Sequence, residues 1–296
     1  MPASLADSQA SEGYEMRSMK IAVASGKGGT GKTTVAVALA LSIPGAQLVD
    51  ADAEEPNCHL FLSPTIHETI PVHMMVPEVD LDACTFCGKC AEFCRFNALA
   101  VIKEKVLIFP ELCHGCGGCV YVCPEKAIER RDRRIGEVEI GEARGHRFLQ
   151  GRLKPAEPSA VRIVHEEIAR LDPGAPAVID APPGTACAVQ ETVAGADACL
   201  LVTEPTPFGL HDLCMAMDLA DELDVPAAVI INRSGPTDAL IEDECRVRGI
   251  PVLLKIPFER RIAEAYSRAE PLSEAFPEYS EKLRQVWQQV REEVHS

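Results

Sequence analysis

The decapeptide Ser25-Gly26-Lys27-Gly28-Gly29-Thr30-Gly31-Lys32-Thr33-Thr34 follows Lys20-Ile21-Ala22-Val23-Ala24, which reads as a short buried strand, and opens a helical pattern over 33–41. A strand that breaks at a glycine-rich turn and resumes as a helix leaves few options. The strand has to join a parallel sheet, and the helix has to cross back over one of its faces. Gly26, Gly31, Lys32 and Thr33 satisfy G-x-x-x-x-G-K-[ST] in that context. The glycines let the backbone N–H groups of Gly26, Gly28, Gly29, Thr30, Gly31 and the first helical turn, Lys32 to Thr34, turn toward phosphate oxygens at the positive end of a helix. Lys32 is expected to neutralise the β- and γ-phosphates, and the Thr33 hydroxyl to complete a Mg²⁺ shell. Gly26, Gly28 and Gly31 also fit the dinucleotide pattern G-x-G-x-x-G, with Asp50 at a plausible ribose distance. A dinucleotide loop has no use for Lys32 and Thr33 at the helix start or for Lys27 inside the turn, so a nucleoside triphosphate is the expected ligand.

Further apolar runs end in turn or functional residues at Gln47–Asp50, Ala177–Asp180, Ala198–Thr203, 227–232 and 251–255. Helical patterns over 159–171, 210–223 and 237–248 separate the later ones. This alternation predicts an α/β fold, a mostly parallel P-loop sheet with helices on both faces. Residues 1–19, rich in Ala, Ser and acidic side chains, are expected to form a flexible tail, with Met16 or Met19 as alternative starts. Residues 20–76 and 131–296 are assigned to the nucleotide domain and residues 77–130 to a small insert, with short hairpin strands near 135–148.

The insert holds eight of the thirteen cysteines. They form Cys84-x₂-Cys87-x₂-Cys90-x₃-Cys94 and, 29 positions later, Cys113-x₂-Cys116-x₂-Cys119-x₃-Cys123-Pro124. Both runs match the spacing used for [4Fe–4S] clusters in bacterial ferredoxins, where the fourth cysteine of each run serves the other cluster. One cluster is then expected on Cys84, Cys87, Cys90 and Cys123, and the second on Cys113, Cys116, Cys119 and Cys94. A pair of structural zinc sites also uses C-x₂-C units, but the third cysteine at x₂ and the fourth at x₃ favour iron–sulfur. One departure is Arg95, where the pattern has proline. Gly88, Gly115, Gly117 and Gly118 supply permissive backbone. His114, within the second loop, is expected to be exposed. Cys58, Cys187, Cys199, Cys214 and Cys245 default to small buried hydrophobes.

The formal charge of −16 argues against a general affinity for nucleic acid or an anionic membrane. No run of 18 uninterrupted apolar residues and no signal-peptide apolar region occurs, so a cytoplasmic protein is expected. From Glu281 onward Leu283, Val286, Trp287, Val290 and Val294 share one helical face, and the mixed charge opposite favours packing on the protein's own body over a membrane surface.

With Lys27 in place, GKGGTGKT resembles the deviant phosphate loop of the MinD/ParA superfamily, which includes the nitrogenase iron protein and cluster-carrier ATPases. The resemblance implies a homodimer with ATP between the subunits, Lys27 reaching the partner's nucleotide. Leu48-Val49-Asp50-Ala51-Asp52 resembles the family's switch I, which gives Asp52 the attacking water and Asp50 support of the Mg²⁺ shell. Val178-Ile179-Asp180-Ala181-Pro182-Pro183-Gly184 is similar to its switch II, with Asp180 holding Mg²⁺ through water. Asn232 resembles the adenine-reading position, and Pro257 the late turn. Lys27, Lys32 and Asp52 are thus the expected catalytic residues. Cys187 lies seven positions after Asp180, as does a cluster-bridging cysteine of the nitrogenase iron protein, without a matching second ligand. The whole chain resembles superfamily ATPases with an inserted ferredoxin domain. That implies an ATPase coupling dimer rearrangement to electron transfer with an unknown redox partner protein. A positioning or scaffold ATPase with structural or redox-sensing clusters, and a cluster-assembly carrier, are the alternatives.

Overall fold

The computed structural model describes residues 19–294, so the tail expected over 1–19 lies outside the described residues except for Met19. β1 (Lys20–Ala24) runs through the glycine loop into α1 (Lys32–Ser42), followed by β2 (Gln47–Asp50), the short α2 (Cys58–Leu62) and a long strand β3 (Thr65–Val79). The cysteine-bearing lobe comprises α3 (Lys89–Phe93), β4 (Leu99–Ile102), β5 (Lys105–Ile108) and α4 (Gly118–Val122). The chain returns along β6 (Ile128–Ala143) and β7 (His146–Leu153). It then alternates through α5 (Val161–Ile168), β8 (Ala177–Asp180), α6 (Cys187–Ala194), β9 (Ala198–Thr203), α7 (Pro207–Glu222), β10 (Ala227–Ser234), α8 (Ala239–Arg248) and β11 (Val252–Pro257). Helices α9 (Arg260–Ser267), α10 (Leu272–Ala275) and α11 (Pro277–Val294) complete it.

Nine strands form one sheet in the order β11-β10-β9-β1-β8-β2-β7-β6-β3. Pairing is parallel from β11 to β7, whereas β6 runs antiparallel to both of its neighbours. The central strands are covered on both sides, which is why they read as unbroken apolar runs. On one face Val35 and Leu39 of α1 meet Leu48, Leu200 and Ile230 of the sheet and Leu283, Val286, Trp287 and Val290 of α11. On the other, Val189 and Val193 of α6 and Leu213 and Met217 of α7 pack on Leu201, Val229 and Ile231. The apolar stripe expected near the C-terminus is therefore buried core. Among the described residues no helix is long and apolar enough to cross a membrane.

Residues 65–79 carried no strand signal strong enough to be assigned, and the short hairpin expected near 135–148 is the turn of two longer strands that extend the main sheet. β3 lies at the sheet edge; Ile70, Val72, Met74 and Val76 alternate along it, but Pro71 and Pro77 interrupt the run and most of its side chains are exposed or half-buried. β6 pairs with β7 only from Gly136 to Ala143, yet with β3 from Ile128 to Glu142. Its first eight residues and their β3 partners thus leave the sheet as a two-stranded ribbon roughly 25 Å long. This ribbon carries the lobe, and the expected insert boundaries of 77 and 130 fall inside it.

The lobe repeats itself at the 29-residue offset of its cysteines. Helices α3 and α4 begin at Lys89 and Gly118, each behind a left-handed glycine, Gly88 at φ 80° and Gly117 at φ 74°. Asn97 and Lys126 both sit at φ 53°. Arg133 ties the lobe to the main domain: its guanidinium donates to both Glu157 carboxylate oxygens at 2.7 Å and to the Pro110 carbonyl at 3.0 Å.

Trp287, fully buried between α11 and α1, is the largest side chain of the first core layer. Trp287→Ala is expected to cost about 3–5 kcal/mol of unfolding free energy, seen as a lower denaturant midpoint at unchanged slope.

Candidate functional site

Register brings the site together. β1 lies between β8 and β9, and β2 pairs with β8 so that Asp50 stands opposite Asp180. The carboxyl ends of β1, β8 and β2 therefore adjoin, the place where an open parallel sheet collects ligands. At Gly26 and Gly31 the loop after β1 is set by contacts that leave no room for a larger residue. A methyl group on Gly26 would lie 2.0 Å from the Asp212 carbonyl oxygen of α7. Gly31 has φ +90°, and a methyl there would lie 2.2 Å from Asn232 Nδ2. That amide donates to the Thr30 carbonyl at 2.7 Å, and the Arg233 N–H donates to Asn232 Oδ1 at 3.0 Å. Asn232, expected to read adenine, braces the back of the loop through these bonds. Gly28 and Gly29 are exposed at the rim, and Thr33 and Thr34 are half-buried on the first turn of α1.

The charges are held deep. Lys32, 8% exposed, donates to Asp180 Oδ1 at 2.6 Å. Burial alone would lower its ammonium pKa; Asp180, Cys58 and Asp50 together hold it above the ordinary value. Asp50 Oδ2 accepts the Asn57 and Cys58 backbone N–H groups, both at 2.7 Å, while Asp50 Oδ1 is buried without a partner. Burial, then the charge of Asp180, pushes the Asp50 carboxyl up to about 7. Asp52 is half-buried and accepts the Glu55 N–H, and burial raises its carboxyl as well. Lys27 does not lie free: Glu204, just past β9, accepts from it at 2.7 Å and from Arg233 at 2.8 Å. These two cations hold the Glu204 carboxyl below the usual range, the bond from Lys27 foremost.

In the lobe the cysteines line two cavities. Cys84, Cys87, Cys90 and Cys123 line one, beside Val79, Val106 and Ile128. Cys94, Cys113, Cys116 and Cys119 line another, beside Met75, Phe96 and His114. Backbone N–H groups point at the sulfurs in matched pairs: Phe86 to Cys84 and Gly115 to Cys113 at 3.4 Å, Ala98 to Cys94 and Ala127 to Cys123 at 3.3 Å. All eight are free thiols. Inward amides stabilise thiolate charge, and each cavity gathers four cysteine side chains that could hold a cluster. His114 is exposed and stacks on Phe96 at 3.8 Å.

Residues 21–272 match the model of the CobQ/CobB/MinD/ParA nucleotide binding domain. The chain belongs to this family. It is a P-loop ATPase of the MinD/ParA type. It is similar to an uncharacterized protein of Methanocaldococcus jannaschii, at 28% identity over 85% of this chain and 90% of that one. Among solved structures it is similar to the septum site-determining protein MinD of Pyrococcus horikoshii, complexed with Mg-ADP, at a TM-score of 0.55 and 22% identity over 93% of this chain and 95% of that one. This last likeness shows the fold. A stretch of 48 residues, 16% of this chain, is 44% identical to 18% of one subunit of an ion-translocating oxidoreductase complex of Methanosarcina acetivorans.

Three residues of the family site were not anticipated in these roles. Cys58 is buried in the first core layer, as expected of a small hydrophobe, but its Sγ also lies 3.5 Å from Asp180 Oδ2. Glu204 could have been found by the strand-end argument that found Asp50, since it follows β9 directly. Glu167 of α5 had no signal, being one acidic residue in an amphipathic helix. It is fully buried, and neither oxygen has a hydrogen-bond partner. Cys187 opens α6 with its side chain exposed, whereas Cys199 and Cys245 are buried as expected.

Gly26→Ala is expected to abolish nucleotide retention, whereas Gly29→Ala, at φ +82° in open space, should cost only about 1–2 kcal/mol of strain; titration with a fluorescent ADP analogue separates them. Burial, then the Asp50 charge, raises the Glu167 carboxyl well above the ordinary range. The native state thus keeps this proton where the unfolded chain has lost it, and its stabilising effect is lost as pH rises toward the raised pKa. Glu167→Gln should therefore melt above the wild type at pH 8, an advantage that shrinks toward pH 4 in thermal scans.

Proposed function

We propose that this ATPase couples its nucleotide cycle to electron transfer through two [4Fe–4S] clusters, one held by Cys84, Cys87, Cys90 and Cys123, the other by Cys94, Cys113, Cys116 and Cys119. The observation that carries the reading is the cross-over: each cavity takes three cysteines from one run and the fourth from the other. Independent zinc sites do not need this exchange, whereas paired cubanes use it. When bound, such clusters supply one-electron redox chemistry. The partial likeness to a component of an ion-translocating oxidoreductase complex supports the same class.

On this reading the loop N–H groups of residues 26–34 cradle the β- and γ-phosphates of ATP. Lys32 leaves Asp180 to neutralise them. Thr33, with Asp50 and Asp180, supports Mg²⁺, and Asp52 orients the attacking water. Lys27, released from Glu204, reaches the nucleotide of a second copy in a homodimer. The coupling element is the sheet itself. Asp50 registers with Gln150 of β7, Gln150 with Glu139 of β6, and the Gln150 amide donates to the Glu139 carboxylate. A shift of α2 and Asp50 on loss of the γ-phosphate is thereby passed toward the strand that carries the lobe. The redox partner protein is unknown. A second reading, a positioning ATPase in which the clusters are structural, is favoured by the likeness to the MinD structure.

Anaerobically purified protein is expected to hold about eight iron atoms per chain, falling to about four in Cys123→Ala. Its electron paramagnetic resonance midpoint should shift when a non-hydrolysable ATP analogue and Mg²⁺ are added. Stoichiometric zinc in place of iron overturns the cluster assignment. Iron present, with identical midpoints with and without nucleotide, overturns the coupling and leaves the positioning reading.

A further inference from the structure

Cys58 makes the site between β2 and β8 chemically unusual. Its Sγ and one carboxylate oxygen each of Asp50 and Asp180 lie within 4.8 Å of one another, and all three residues are at most 1% exposed. They come from three elements, the ends of β2 and β8 and the start of α2, so the set is made by the fold and not by a surface run. One Asp50 oxygen is saturated by two backbone N–H groups, but the other is buried without a partner. An orphaned carboxylate oxygen in a dry site is costly unless a cation or donor is supplied.

We infer that Asp50, Cys58 and Asp180 form a direct coordination site for a thiophilic divalent cation of the zinc class, whose occupation blocks nucleotide turnover. Two carboxylates and a thiolate carry three negative charges, and Lys32 on Asp180 leaves two, which a divalent ion neutralises. The donor set is one sulfur and two oxygens. Mg²⁺ accepts the oxygens but has little use for the sulfur; Zn²⁺ and Co²⁺ accept both. Ligands about 2.0–2.3 Å from an ion lie roughly 3.5 Å apart, so the three atoms have to close by little more than about an ångström. On binding, the Cys58 S–H bond breaks, its proton goes to solvent and a metal–sulfur bond forms, with no change of oxidation state. The fourth position stays open to water, as in zinc sites with three protein ligands. Zn²⁺ there removes Asp50 and Asp180 from the service of Mg²⁺, so it competes with Mg²⁺·ATP. This inference rests on the ATPase site and is independent of what the lobe holds.

The test titrates the full chain with Co²⁺ alone and measures Zn²⁺ inhibition of ATP hydrolysis at fixed Mg²⁺, for wild type, Cys58→Ser and Cys58→Ala. The eight lobe cysteines are common to all three proteins, so difference spectra isolate Cys58. Wild type should show about one more equivalent of thiolate-to-cobalt charge-transfer absorption than either variant. The Zn²⁺ concentration that halves turnover, each rate being taken relative to its own zinc-free value, should rise at least about tenfold in both variants. Equal cobalt spectra overturn the inference, as does inhibition that ignores the substitutions. Absence of iron from the lobe defeats the electron-transfer reading and leaves this one standing.

Discussion

Parallel pairing of β1 with β8, and of β8 with β2, is the constraint on which the site depends. It sets the glycine loop, Asp180 and Asp50 shoulder to shoulder and fixes which atoms can meet. Lys32 closes the arrangement by pairing with Asp180 across 148 residues of chain. The pair lies where water is scarce, so it is worth keeping only while its partners stay matched. An incoming polyphosphate offers the lysine a more highly charged partner, and Asp180 then needs a cation in exchange. The site is therefore poised for nucleotide and metal to arrive together.

Much of this was legible in the chain, because the chemistry sits where regular structure ends. β1, β2, β8 and β9 are buried on both faces, so they appear as apolar runs cut off by the residues that act. The cysteine spacing was equally readable, since a tight turn fixes which thiols converge. Edge strand β3 was harder to read: Ile70, Val72, Met74 and Val76 alternate, but Pro71 and Pro77 interrupt the run and the strand is half solvated. Cys58 and Glu167 were invisible for another reason. Their surroundings come from segments far away in sequence, and a single thiol or carboxylate carries no period that announces what it will face.

The phosphate loop is held from behind as firmly as from within. Asn232 braces Thr30 from the end of β10, α7 abuts Gly26, and Glu204 detains Lys27. These supports come from the half of the sheet remote from the cysteine lobe. β2, β7 and β6 occupy the other half. The nucleotide site thus stands between a rigid buttress and a chain of strands that ends in a projecting ribbon.

The two halves of the lobe are duplicates at a 29-residue offset, yet each cavity borrows a thiol from the opposite copy. Such an exchange ties the two copies to each other. Neither half can be trimmed away without leaving the survivor's cavity one thiol short.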